Sequence, residues 1–335
     1  MALVVLLLEL LVGASAPPGR GAEAVPPPLG ELADQYRQGD RDDAVAAVTA
    51  WTEREVEGET EALLEDVEAR ARADGTTPEE RARGRATLQA AATLLGDSAR
   101  RSLYRGDRPG ARALLRAAER LARGARSPES PEFARRFTLF EGLLLHAMGD
   151  LSGAFVVLSE GRRSLEDDAE LLLALGAVSE AVSALRVYDV PDAPRPLPGE
   201  EDAPRFVIEG QDGEGGALPR TSLADAQALL AKALKRDPGM LEARLRLGRV
   251  LLLRGRTREA LPDLVQAGQE SASRSQRYLA RLFEGRTRER LGDMPGAAAA
   301  YAAAAETVPQ AQSARIALGR ALALAGENRR AQEAF

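Results

Sequence analysis

The stretch Glu284–Tyr301 reads EGRTRERLGDMPGAAAAY. Its pentad Gly285-Arg286-Thr287-Arg288-Glu289 also occurs at Gly255-Arg256-Thr257-Arg258-Glu259, 30 residues earlier. A 30-residue unit fails as the period, because no other landmark keeps that spacing. Aligned on glycines, the C-terminal third falls into register. Gly248, Gly285 and Gly319 share one column, and seven residues after each stands Gly255, Gly292 or Gly326. Five further on come Ala260, Ala297 and Ala331, and four beyond those Leu264, Tyr301 and Phe335. The steps between units are 37 and 34 residues. The two pentads therefore sit at different places in the unit: Gly255 in a turn column, Gly285 in a helix column.

The spacing has a physical reading. The first Gly is a small residue where two helices touch. The second closes the first helix, because Gly accepts the left-handed conformation that follows a helix end. The Ala opens the contact face of a second helix, and the large apolar residue one turn later fills the gap beside the first Gly. A helix pair of this kind cannot bury its apolar stripe alone, so pairs must stack.

This pattern resembles the tetratricopeptide repeat. That family places a small residue, a turn Gly, Ala, an aromatic or Leu, Ala and then Pro in a unit of about 34 residues. The fullest set here is Gly285, Gly292, Ala297, Tyr301, Ala304 and Pro309. The family's early Trp is missing, with Arg244 and Arg281 in its place. The aromatic of the first helix is replaced by Leu251, Arg288 and Leu322, so the Arg288 unit is degenerate. The resemblance implies an all-α, right-handed superhelical solenoid of antiparallel helix pairs, about seven of them. It also implies a groove lined by the first helices that holds a partner's peptide. The residue after the first-helix Gly faces that groove in the family. Here it is Arg249, Arg286 and Arg320, a candidate ladder for an acidic segment or chain terminus, since Arg offers forked donors suited to carboxylates. The family's carboxylate clamp of Lys and Asn does not carry over: Leu245 stands at one Lys position and the groove has no Asn. Upstream the ladder positions are Leu143 and Ala177, so any ladder is confined to the C-terminal third.

The same landmarks recur upstream at Gly142, Gly149, Ala154 and Leu158, and Gly176 follows Gly142 by 34 residues. The second helix expected after Gly176 is interrupted. The segment Tyr188 to Arg220 holds six Pro with many Gly and acids and cannot be helical. Ala226, Leu230, Ala233 and Pro238 then resume the second-helix pattern, so a long loop is inserted inside one repeat. Phe206-Val207-Ile208 is a candidate short strand within it. Weaker copies stand at Gly39, Ala44, Val48, Trp51 and at Gly106, Ala111, Leu115, Ala118, with two helices of uncertain register between them. Thr77-Pro78-Glu79-Glu80 is a helix start with a Thr cap, Pro in the first turn and Glu reaching back. Ser130-Pro131 is read as starting another helix in the same way. The expected organisation is a signal segment at 1–24, degenerate repeats at 25–187, the inserted loop at 188–221 and clearer repeats at 222–335. The last unit stops in mid second helix at Phe335, which suggests a truncated chain or a partner covering an apolar end.

Composition agrees with helix. The chain has 335 residues, 44% hydrophobic but only 4% aromatic, and Ala, Leu, Arg and Glu dominate. Net charge is −6, which gives no global attraction to nucleic acid or anionic membrane. The charge is uneven. Residues 51–80 carry 11 acids and 3 Arg, and residues 81–136 carry 14 Arg and 5 acids. One reading is solvated helix faces that attract each other across the array. The other is an anion-binding surface that would hold nucleic acid or another polyanion through residues 81–136. Only two of the 45 basic residues are Lys, so solvated Arg is common on this surface.

Candidate chemistry is sparse. With no Cys, thiolate nucleophiles, disulfides and zinc-thiolate sites are excluded. His146 is the only His, placed near the end of a first helix and read as a partly exposed structural residue. No GxxxxGK[ST] loop is present, and Gly210–Gly216 is acidic and would repel phosphate. No catalytic, cofactor or metal residue is assigned, and the expectation is a non-catalytic scaffold. The N-terminus, MALVVLLLELLVGASA, resembles the core and cleavage site of an export signal, though no Lys or Arg precedes Arg20. It is too short for a membrane span. The expected location is therefore periplasmic or extracellular, or cytoplasmic if the segment is structural.

Overall fold

The structure, a computed structural model, describes residues 27–125, 130–165, 168–188 and 219–334. The signal segment 1–24, most of the inserted loop with its candidate strand at 206–208, and Phe335 lie outside the described residues. Among the described residues the chain is all α, with fifteen helices and no strand. It divides between Met148 and Gly149 into two compact units. That division falls inside the segment 25–187 expected from sequence to be one array.

The N-terminal unit is built on two helix pairs and two further helices. α1 (Leu29–Gln38) and α2 (Arg41–Thr49) form the first pair, and α4 (Pro78–Tyr104) and α5 (Arg108–Gly124) the second. Each pair turns at a left-handed glycine, Gly39 or Gly106. α1 and α2 pack directly on α4. α3 (Glu53–Arg72) intervenes in sequence yet lies against α5 and α4. It is thus an extra helix laid on the stack. α3 starts at a capping box between Thr52 and Glu55, and α4 at one between Thr77 and Glu80 with Pro78 in its first turn. α6 (Pro131–Ala147) packs on α4 and α5. It starts at Pro131, but Ser130 makes no side-chain cap bond. Phe133 stands at the third helical position, so the return bond of a capping box is absent as well.

The C-terminal unit contains α7 (Leu151–Ser164), α8 (Ala169–Tyr188), α9 (Leu223–Arg236), α10 (Leu241–Leu253), α11 (Thr257–Glu270), α12 (Arg274–Arg290), α13 (Met294–Thr307), α14 (Gln312–Leu324) and α15 (Asn328–Ala334). Each helix packs on its neighbour in sequence, and α10 also touches α8 and α12. α8 and α9 pack closely, although residues 189–222 lie between them. They are the two halves of one pair.

The glycine columns explain the packing. A Cβ on Gly285 would stand 2.5 Å from the Tyr301 ring, one on Gly248 would stand 2.6 Å from Leu264, and one on Gly176 would stand 2.9 Å from Leu230. Tyr301, Leu264 and Leu230 are fully buried. Each such side chain contributes roughly 1.5–3 kcal/mol by leaving water, and the missing Cβ is what lets it seat against the first helix. The turn column is equally regular. Gly255, Gly292 and Gly326 have φ of 76°, 82° and 84°. The residue after each donates its N–H to the carbonyl five residues back, as Asp293 does to Arg288 at 2.9 Å. This bond closes the orphan carbonyls of the first helix. The two pentads follow suit: Gly255 is a turn residue, while Gly285 lies buried inside α12.

Candidate partner-binding face

The first helices of the C-terminal unit, α8, α10, α12 and α14, carry the sequence-predicted ladder. Arg249 lies on α10, Arg286 on α12 and Arg320 on α14. Their environments differ. Arg249 Nε stands 2.8 Å from Glu180 Oε1 on α8, and the Glu180 side chain is only 1% exposed. Arg246 reaches the other oxygen of Glu180 at 3.3 Å. The Arg249 guanidinium also lies over the Phe283 ring of α12, 5.7 Å from its centroid. Arg320 Nη2 holds Glu289 of α12 through both oxygens, at 3.0 and 2.7 Å, while keeping 61% of its side chain exposed. Arg286 is exposed and forms no ion pair among the described residues. Two of the three arginines are thus spent on carboxylates of the preceding first helix, and the three are not a uniform row of free cations.

The residues at the family's Trp position are accounted for. Arg244 Nη1 pairs with Asp263 of α11 at 3.1 Å and Nη2 donates to the Pro238 carbonyl at 3.0 Å. Burial pushes the Asp263 carboxyl above its ordinary value, and Arg244 pulls it back. Arg281 lays its aliphatic stem beside Gly268 and pairs with Glu284 at 2.8 Å. A long Arg stem can thus cover apolar surface where Trp would, with its head still solvated or paired. In the degenerate unit Arg288 bridges buried Glu284 at 3.0 Å and the more exposed Asp293 at 2.9 Å, so an ion network replaces the missing aromatic. Tyr301 donates its hydroxyl to Glu289 at 2.8 Å. Burial first, and that bond second, raise its phenol well above the usual value.

Around the arginines the first helices expose apolar side chains. Leu253 stands four residues beyond Arg249, Leu324 four beyond Arg320 and Ile316 four before it, so each shares a helix face with an arginine of the column. All three are at least half exposed.

His146 is buried, 6% exposed, rather than partly exposed. It lies one turn past Gly142, on the same face of α6 as that buried glycine. The basic stretch 81–136 is partly neutralised within its own unit. Arg116 of α5 pairs with Glu53 of α3 at 2.7 Å, and Arg120 pairs with Glu61 at 3.0 Å. A groove of about 900 Å³ lies along α1, α3 and α4, lined by apolar residues such as Leu63 and Val67 and by charges of both signs such as Asp34, Arg37, Glu59 and Arg70. Among the described residues no group of three or more His, Asp or Glu could hold a metal ion, and no helix is long and apolar enough to cross a membrane.

Helix pairs with a packing glycine, a left-handed turn glycine and a buried Leu or Tyr opposite the first make the C-terminal unit a stack of helical repeats. The tetratricopeptide repeat family model matches residues 221–280, from the start of α9 into α12, and this part of the chain is tetratricopeptide repeat. No curated protein matches the chain. Among solved structures it is similar to MamA 41-end from Desulfovibrio magneticus RS-1, at 18% identity and TM-score 0.43, over 60% of this chain and 91% of that one. It is also similar to YrrB, described as a TPR protein with an unusual peptide-binding site. That match has 18% identity and TM-score 0.41, over 59% of this chain and 80% of that one.

Proposed function

We propose that this chain is a non-catalytic scaffold that holds a partner protein or peptide against the first helices of its C-terminal repeats. The observation that carries this reading is the exposed apolar set Leu253, Ile316 and Leu324, standing on the same helix faces as the arginine column. Exposed apolar side chains gathered on one face favour a partner over solvent. A polyanion reading through residues 81–136 is less well supported, because Arg116 and Arg120 already face carboxylates of α3. The test is selection of a displayed random-peptide library on the full chain. Selected peptides are expected to lose at least about tenfold in affinity on Leu253→Asp and on Leu324→Asp. Peptides that bind these variants unchanged, or no selected peptides at all, would overturn the reading.

Export is a second part of the proposal and rests on the apolar segment and small-residue motifs of residues 1–24. Expression of the full chain in a Gram-negative host, followed by N-terminal sequencing, is expected to give a product starting near Pro17 or Val25 outside the cytoplasm. An intact cytoplasmic chain would contradict it.

A further inference from the structure

The arginine column has a partner column. In α8, α10, α12 and α14 the residue after the packing glycine is Ala177, Arg249, Arg286 and Arg320. The residue four after that glycine is Glu180, Leu252, Glu289 and Ala323. Each paired arginine reaches the second column of the preceding first helix: Arg249 reaches Glu180, and Arg320 reaches Glu289. By the same register Arg286 should meet residue 252. That residue is Leu252, which is buried and offers no side-chain acceptor, and its carbonyl is taken by Arg290 Nη1 at 2.8 Å. Glu289, three residues along the same helix, is already held by Tyr301 and Arg320. Arg286 is therefore the rung whose carboxylate the chain itself does not supply.

The helices on either side of this rung expose apolar side chains, and Arg290 of α12, in the same column as Leu253 and Leu324, is committed to the Leu252 carbonyl. Leu253 stands on α10 to one side, and Ile316 and Leu324 stand on α14 to the other, all exposed. We propose that Arg286 is the anchor for a single carboxylate on an otherwise apolar peptide segment that crosses α10, α12 and α14. The inference rests on the binding face proposed above and narrows its partner from acidic in general to apolar with one acid. A highly acidic segment finds little here, because the flanking rungs Arg249 and Arg320 are already neutralised. A single carboxylate gains a charge-assisted, forked bond from a guanidinium that forms no ion pair among the described residues, since nearby Glu289 is engaged by Tyr301 and Arg320.

The test uses the full chain and an array of twelve-residue peptides of Leu and Ala, each with one central Glu, beside copies with Gln at that place. Glu peptides are expected to bind about tenfold more tightly than their Gln copies, the difference a charge-assisted bond supplies. Arg286→Ala should erase that difference and leave Gln-peptide binding unchanged. Leu252→Glu should erase it as well, by giving Arg286 the carboxylate that the other rungs have. Because Leu252 is buried, Arg286→Gln serves as the control that needs no change in the core. Equal binding of Glu and Gln peptides to the unmodified chain, lost on Leu253→Asp, would overturn the inference and leave the binding face standing. A Glu preference that survives Arg286→Ala would overturn it too. Binding of neither peptide would overturn both.

Discussion

Gly285 shows most directly how one residue sets the repeat. It is buried in mid-helix, where Gly costs roughly 0.5–1 kcal/mol relative to Ala. The structure tolerates that cost because a methyl group there would stand 2.5 Å from the Tyr301 ring, and Tyr301 is buried and tied to Glu289. Gly285→Ala gains helix propensity and loses packing. Overpacking a filled contact costs about 1–3 kcal/mol, so the net change should be destabilising. Urea denaturation of the variant should show a lowered midpoint with an unchanged slope, and a raised midpoint would mean the ring has room to move. Arg286 is the complementary case. Its neighbours in the column are fixed by carboxylates, and it is not, for the single reason that residue 252 is Leu.

At the scale of the element, the turns explain why the helices end where they do. In the α12–α13 turn, Gly292 closes the first helix, and Asp293 caps the second by accepting from the Gly296 N–H at 2.9 Å. Asp293 also pairs with Arg288 at 2.9 Å. The cap bond first, and Arg288 second, hold the Asp293 carboxyl below its ordinary value. A depressed carboxyl contributes stability above its unfolded pKa, near 3.9, and loses it as the pH falls through its folded value. Asp293→Asn should therefore be less stable than the unmodified chain at pH 7. The gap should be under about 1 kcal/mol because the pair is solvent-exposed, and it should close below about pH 4. A gap that persists unchanged in acid, measured by thermal melts across pH, would assign the effect to shape rather than charge.

These turns were legible in the sequence, because Gly at a fixed spacing admits few explanations. The pairing of α8 with α9 was legible too, since Gly176 and Leu230 keep their columns on either side of the insertion. α3 was not. Its sequence reads as a helix, but whether a helix joins the stack or lies upon it depends on which neighbours cover it, and periodicity does not encode that. The charged faces of α3 and α5 did foretell their attraction. The ladder was legible only in part. The arginine column could be read, but the Glu column that answers it comes from the preceding repeat, so the pairing emerges only once the repeats are stacked. Glu180, Leu252 and Glu289 share the column four residues after the packing glycine, and the Leu among them marks the free rung.

For the whole molecule, the division between Met148 and Gly149 has a consequence for unfolding. Trp51, the single tryptophan, packs against the core of the N-terminal unit. The repeat cores around Leu264 and Tyr301 belong to the other unit. Tryptophan fluorescence should therefore follow the N-terminal unit alone, while far-UV circular dichroism follows helices of both. The two probes should give different urea midpoints, because two units with separate cores need not unfold as one. Coincident transitions would mean that the chain unfolds as one cooperative body. The C-terminal unit carries the proposed binding face, so its stability is the one that bears on the proposed function.

On this proposal one arginine column is divided between structure and recognition. The measurement that tests this most directly is urea denaturation of Arg249→Ala, Arg286→Ala and Arg320→Ala side by side in the full chain. Arg249→Ala should cost about 1–3 kcal/mol, because it leaves buried Glu180 with Arg246 alone. Arg320→Ala should cost about 0–1 kcal/mol, as exposed pairs do. Arg286→Ala should stay within about 0.5 kcal/mol of the unmodified chain, as a surface change away from any partner does. An Arg286→Ala variant destabilised as much as Arg249→Ala would contradict the account, since the free rung would then be holding the fold together.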